Sequence, residues 1–419
     1  MHILLVHQYF LGKNDAGGSR WNQFSKYWSQ KDCKVTVLAG TVHYASGKKA
    51  PQYKGKYVVR EKESKNIDIL RCHVSESYNR NFAGRLWAYF SFFFSTLWAG
   101  LFHAGKCDVI ICTSPPLTVG LTGWILSRLK RAPMVFEVRD LWPESAIDTG
   151  VLTNKWLIKM SYWLERLSYK SASWINVLTP AFEESLIKNK SVNPERISMI
   201  PNGADMDIFL PGDRDNWVRK KYGIENKFVI IYVGAHGVAN HLSQLIDVTE
   251  NVKDDPDIVM MLVGDGMQKE MLKKDARKRG LHNIIFVNSV PKTEIVDYVA
   301  ASDICTAVLK KVDTFKTVYP NKIFDYMSAC RPIILAIDGV ARELLENAGS
   351  GMYVEPENTE AFVKALYRFK KNPELCLQCG ENGLKYVASH FSRETLAKKY
   401  YGILIDKIVG KKKQSAVLK

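Results

Sequence analysis

The chain has 419 residues, 46% hydrophobic and 24% charged, an ordinary globular composition that excludes a fibrous or disordered protein. That length exceeds what one compact core serves, so two domains of roughly 200 residues are expected. Lys and Arg exceed Asp and Glu by 16, and 11 of those 16 fall in residues 1–205. The excess points to an anionic partner, and the lack of zinc-finger spacing, an RNP-like motif or a basic repeat argues against nucleic acid.

Residues 3–7, 35–39, 109–113, 134–138, 174–178 and 197–200 are apolar, β-branched runs, several separated by amphipathic segments. Such runs alternating with helices predict parallel strands covered on both faces. The opening MHILLVHQYF lacks the charged flank and cleavage site of a signal peptide and reads as the first strand. Residues 41–73 alternate and are basic and tyrosine-rich, which predicts short antiparallel strands inserted within the domain. Eight scattered cysteines fit a reducing cytoplasm. Cys376 and Cys379 form a C-x-x-C inside a helical pattern and read as structural thiols.

Residues 86–104 run for 19 positions without Asp, Glu, Lys or Arg, long enough to span a bilayer. The strand at 107–113 follows at once, and its sheet must stay on one side of a membrane. The segment therefore reads as a helix, part core and part headgroup anchor, with Trp87, Phe93 and Phe94 among the anchoring aromatics. Lys48, Lys49, Lys54, Lys56, Arg60, Lys62, Arg80 and Arg85 would add attraction to an anionic cytoplasmic leaflet.

The pattern breaks at Pro201–Asn202–Gly203–Ala204–Asp205, where turn residues mark the domain boundary. Alternation restarts with runs at 228–233, 258–263, 284–287, 304–307, 333–336 and 351–354. The expected division is residues 1–205, residues 206–390, and a segment 391–419 whose helix crosses back to the first domain before a basic tail.

Chemistry-bearing residues collect after predicted strands. Gly17, Gly18 and Ser19 follow the first strand and lead into a helix at Trp21–Trp28. Gly234 and His236 follow the run at 228–233, and Gly264, Asp265 and Gly266 follow 258–263. Each turn opens a helix at a carboxyl strand edge, although βα turns also carry glycine for packing alone. None matches the dinucleotide or P-loop fingerprints. Arg139, Asp140 and Glu144 end another strand, where Arg139 suits a phosphate or carboxylate and the acids suit hydroxyl or proton work; a surface ion pair is the alternative. In the stretch KTVYPNKIFDYMSACRPII, a Pro320–Asn321–Lys322 turn starts a helix, placing Lys322 for a diphosphate and Asp325 for sugar hydroxyls. An ordinary αβ unit with a solvated Lys and Asp is the plainer reading. The D-x-D at Asp205 and Asp207 has no further ligand cluster, so no metal site is read there.

The interdomain IPNGADMDIF, the VGDG turn and PNKIFDYMSACRPII together resemble the retaining GT-B glycosyltransferases of family GT4 over essentially the whole chain. TSPP and VRDLWPES further resemble the bacterial branch that builds O-antigen, capsule and related lipid-linked glycans, including fucosamine-type amino-sugar transferases. The resemblance implies two Rossmann-like domains whose parallel sheets face each other across a cleft. It implies a nucleotide diphosphate sugar as co-substrate, most commonly UDP-linked, a polyprenyl-diphosphate-linked glycan acceptor at the inner face of the cell membrane, and no tightly bound metal or cofactor. Gly264 to Gly266 with Asn288 and Val290 would hold the base, and Asp325 the ribose. Gly17 and Gly18 would close over the phosphates, with Ser19, Arg20 and Glu144 facing sugar or acceptor.

The chain departs from the family pattern in three places. The first acid of the E-x7-E motif falls on Thr317, so Thr317, Val318, Tyr319 and Asn321 would contact the donor through backbone and neutral groups. The Gly-Arg and Lys-Gly pairs that grip the diphosphate fall on Gly234–Ala235 and Asn240–His241, so both basic residues are missing. Lys322, with help from Lys316, is their expected replacement. The usual His of the acceptor side falls on Arg139. Two other classes stay open from the residues alone: a sugar-nucleotide epimerase or phosphorylase of similar fold, and a non-catalytic sugar-nucleotide binder.

Overall fold

The computed structural model describes residues 1–12, 20–42, 47–79 and 82–410. Gly17, Gly18, Ser19 and Arg80 lie outside the described residues. Contacts divide the chain into two units: residues 1–12, 20–201 and 394–410 form one, and residues 202–393 the other.

The first unit is built on eight strands: β1 His2–Val6, β2 Lys34–Gly40, β3 Val58–Ser64, β4 Ile67–Cys72, β5 Val109–Ser114, β6 Met134–Val138, β7 Trp174–Val177 and β8 Ile197–Met199. Their order is β3-β4-β2-β1-β5-β6-β7-β8, parallel except for β3 on β4. Ile3 to Val6 are wholly buried, as a central parallel strand covered on both faces must be. The expectation for residues 41–73 needs correction. β4 pairs parallel to β2 and extends the main sheet, and β3 is its antiparallel edge. Exposed Arg60 and Lys62 on β3 keep that edge from pairing further.

The last helical segment, Arg393–Ile403 followed by Leu404–Val409, completes the core of this first unit. Tyr400 packs against Phe24 and Trp28 at ring-centroid distances of 6.0 and 5.6 Å. The Trp28 indole N–H donates to the Ala397 carbonyl at 3.1 Å.

The long helix Phe82–Phe102 buries Phe92, Phe93, Ser95 and Ala99 and exposes Trp87, Phe94, Trp98 and Phe102. Phe93 is thus core and not an anchor, because the register of the helix turns it inward with Phe92. Among the described residues no helix is long and apolar enough to cross a membrane.

The second unit has six parallel strands: β9 Phe228–Val233, β10 Ile258–Val263, β11 Ile284–Val287, β12 Ile304–Val308, β13 Ile333–Ala336 and β14 Gly351–Tyr353. Their order is β11-β10-β9-β12-β13-β14, a doubly wound sheet whose winding reverses between β9 and β12. Loops at the carboxyl ends of β9 and β12 diverge there and leave a crevice, the usual ligand position of such sheets.

Candidate functional site

At that crevice in the second unit, two glycine turns lock together. A Cβ on Gly264 would lie 1.9 Å from the Gly234 carbonyl oxygen, so the backbones touch where any side chain would sit. The His236 N–H donates to the Asp265 carbonyl at 2.8 Å, and the Gln268 N–H to the His236 carbonyl at 2.9 Å. Opposite Gly234 begins the helix Asn321–Ser328, entered through Pro320 with no side-chain cap. Its first N–H groups are left for a ligand.

Lys322 stands in the first turn of this helix. Its Nζ lies 3.7 Å from the centre of the Tyr232 ring, and 2.8 Å from where a Gly234 Cβ would be. Burial pushes the ammonium down to about 7. One turn on, burial raises the Asp325 carboxyl to about 6, while Arg393 and Lys292 pull it back. Those two cations are held by buried Asp205, at 3.2 and 2.9 Å. Asp205 therefore braces the interdomain turn.

Several buried polar atoms on these two elements, the turn after β9 and the helix Asn321–Ser328, have no protein partner among the described residues: Asn321 Oδ1, Asp325 Oδ1 and both ring nitrogens of His236. Buried polar groups are nearly always satisfied, so such a set marks a place meant for a ligand. The His236 ring is wholly buried, and burial, then Lys269, hold it down to about 4, so it is neutral at physiological pH. The Thr317 hydroxyl donates to the Thr314 carbonyl at 2.6 Å, and Tyr319 lies edge-on to Phe324 at 5.9 Å. Val318 caps the turn Asp313–Thr317 in extended backbone. Lys316 is exposed and paired with Asp313 at 2.8 Å, so Lys322 stands without its help.

Sequence reasoning missed Lys269. Its buried Nζ donates to Gly264 O at 2.7 Å, Val287 O at 3.0 Å and Asn288 Oδ1 at 2.7 Å, tying the ends of β10 and β11 together. Asp265 lies 3.5 Å from the same ammonium, and Val290 packs on the core just beyond. With its oxygen taken by Lys269, Asn288 is left with its amide N–H groups to offer. A lysine four residues after Asp265 was the available signal, but it looked like a solvated helix residue.

In the first unit, Arg139 and Asp140 sit half-buried after β6. Burial raises the Asp140 carboxyl to about 6, although the Ser145 hydroxyl and the Leu141 N–H donate to it and Arg139 is nearby. The buried His7 imidazole is held neutral by burial and then by Arg139. Glu144 and Arg20 take other work. Glu144 is bonded by Lys190, which also reaches Glu165 at 2.9 Å. Arg20 is 2% exposed and pairs with the fully buried Glu137 at 3.0 Å. It also donates to the Ile200 carbonyl at 2.9 Å and to the Pro201 carbonyl. Asn176 donates to the same Glu137 oxygen at 3.1 Å. Arg20 is a bolt beneath the sheet edge, not a group offered to a substrate.

Comparison with known proteins agrees with this layout. A family model described as glycosyl transferase 4-like domain matches residues 17–203, and one described as glycosyl transferases group 1 matches residues 213–386. Among curated relatives, the α-D-kanosaminyltransferase of Streptomyces kanamyceticus is 21% identical over 67% of this chain and 72% of its own length. The UDP-Gal:α-D-GlcNAc-diphosphoundecaprenol α-1,3-galactosyltransferase of Escherichia coli is 25% identical over 70% and 74%. Among solved structures, HepE of Anabaena in complex with UDP-glucose superposes with a TM-score of 0.70 at 17% identity, covering 96% of this chain and 99% of that one. Two parallel doubly wound units, and family models that between them run from residue 17 to residue 386, carry the assignment: the chain belongs to the GT4-like glycosyltransferases of the GT-B fold.

Proposed function

We propose that this glycosyltransferase moves a sugar, with retention, from a UDP-linked donor to a polyprenyl-diphosphate-linked glycan in bacterial surface-polysaccharide synthesis. The observation that carries the reading is the set of unpartnered polar groups around Lys322 at the β9–β12 switch point. The diphosphate meets the open N-terminus of helix Asn321–Ser328 and the Lys322 ammonium, Asp325 takes the ribose hydroxyls, and Asn288 with Val290 meets the base. Loss of the sugar leaves negative charge on the departing diphosphate. Lys322 and the helix N–H groups are already aimed there, so they stabilise the transition state more than the ground state. Donors of UDP type are supported by the HepE–UDP-glucose complex, and the acceptor class by the diphosphoundecaprenol-using relative.

In the first unit, Asp140 takes the acceptor hydroxyl and Arg139 the acceptor's anionic part. The exposed Trp87, Phe94, Trp98 and Phe102 rest the helix Phe82–Phe102 on an anionic cytoplasmic membrane face without crossing it. The test is a panel of labelled nucleotide sugars incubated with enzyme and polyprenyl-diphosphate glycans. Label entering the organic phase from a UDP-sugar supports the reading. Label passing only to water-soluble acceptors refutes the lipid-linked acceptor.

A further inference from the structure

An apolar cavity in the first unit is used by none of the chemistry above. It lies between the helix Phe82–Phe102 and the helix Lys155–Ser171, with Leu86 and Phe90 on one wall and Leu157, Met160 and Leu164 on the other. Its inner end is formed by Leu117, just after β5, and Trp142, just after β6. The Trp142 N–H donates to the Asp140 carbonyl at 3.0 Å, so the cavity begins beside the acceptor-side groups and runs out between two helices. Arg85 is the charged residue in its lining. Its volume is about 60 Å³, which excludes a nucleotide and suits a short length of one narrow chain. The lining also offers few groups to a hydroxyl, whose burial without a partner is unfavourable. The same two helices expose Trp87, Trp156 and Trp163, each more than half accessible, as suits helices lying against a lipid headgroup layer.

We propose that this cavity receives the first isoprene units of a polyprenyl-diphosphate acceptor, drawing the head of the chain out of the bilayer to present its glycan at Asp140. The inference rests on the lipid-linked acceptor reading and deepens it. Charge and shape choose the occupant. A polyprenyl diphosphate passes from phosphate to hydrocarbon across one bond, matching an apolar slot with Arg85 in its wall and with Arg139 three residues before the Trp142 that lines it. A glycerolipid interposes ester and glycerol oxygens, for which this wall provides little.

The experiment is calorimetric titration of the full chain, in saturating UDP to occupy the donor site, with farnesyl diphosphate, inorganic diphosphate and dodecyl phosphate. Farnesyl diphosphate is expected to bind at least tenfold more tightly than either control, since two buried methylene equivalents already correspond to roughly that factor. Filling the cavity by Ser161→Phe, or separately by Leu157→Trp, should remove that advantage while UDP affinity and melting temperature hold. Trp87→Ser with Trp156→Ser and Trp163→Ser should weaken vesicle binding and leave farnesyl diphosphate affinity unchanged. Equal affinity for farnesyl and inorganic diphosphate, a preference for dodecyl phosphate, or filled variants that bind as before would each overturn the proposal. Label reaching lipid-linked glycan in those same circumstances leaves the acceptor reading standing and removes only the cavity. Farnesyl binding without any lipid-linked product keeps the cavity and removes the acceptor reading.

Discussion

Because burial holds the Lys322 ammonium down to about 7, UDP binding should take up a proton. At pH 7 about half of the free enzyme carries the charge, and at pH 9 about 1%. A diphosphate charge some 4 Å away contributes about 4 kcal/mol at an effective dielectric of 20, equivalent to roughly three pH units, so the bound ammonium titrates near pH 10. UDP affinity should then fall about 50-fold between pH 7 and pH 9, about 2.3 kcal/mol, a window above the titration of Asp325 and of the nucleotide phosphate. The sign follows from linkage: the complex holds the proton that the free site lacks, so raising the pH opposes binding. Calorimetry at pH 8 in buffers of different ionisation enthalpy should find about 0.9 proton taken up. Lys322→Met keeps the stem against Tyr232 and removes the charge; uptake should vanish and kcat fall by about 10²–10³. Lys322→Arg should bind with little pH dependence, since guanidinium stays charged. Affinity flat from pH 7 to 9, or uptake surviving in Lys322→Met, would refute the role given to this lysine.

Asp140→Asn should stabilise the fold at pH 7.5 by about 1–2 kcal/mol while reducing turnover sharply, because burial raises the native carboxyl to about 6 and disfavours its ionised form. The gain in melting temperature should shrink toward pH 5, where the wild-type group is protonated; a surface ion pair would show about 0–1 kcal/mol and unchanged activity. Lys269→Met should raise KM for the UDP-sugar about tenfold or more with a smaller change in kcat, measured by steady-state kinetics, since it frees the Asn288 amide and both strand ends. Arg20→Met, read by urea unfolding, should cost about 3–5 kcal/mol by leaving Glu137 charged and unpaired in the core. Sedimentation with anionic vesicles should be weakened by salt and lost when Trp87, Phe94, Trp98 and Phe102 become Ser; protein that stays in the supernatant in every condition rules the docking out.

The sheets were legible because twelve runs, from residues 3–7 to 351–354, are mostly apolar and broken only by single polar residues such as Glu137 and Asn176, a pattern that fits buried parallel strands over so many short segments. β4 was misplaced because Ile67, Ile69 and Leu70 say that a strand is buried, not which neighbour it pairs with. The Lys322 helix was readable from local signals, the Pro320 entry and the apolar spacing after it. Arg20 was not, because its partner Glu137 lies 117 positions away and no periodicity reports which buried cation meets which buried acid. Lys269 failed for the same reason: its acceptors are mostly backbone carbonyls at strand ends, which every sequence possesses and none displays. Phe93 failed on phase, since an aromatic-rich helix gives little contrast between its faces.

The return of the chain to its starting unit sets an order for biogenesis. Trp21, Phe24 and Trp28 are made long before the ring that closes over them, Tyr400. The second unit, encoded between residues 202 and 393, can finish while the first still waits with an open aromatic seam. Translation halted between residues 393 and 400 would therefore release a product whose later-made half is sound and whose earlier-made half is incomplete. Such an exposed seam is what chaperones bind and what aggregates when they are scarce.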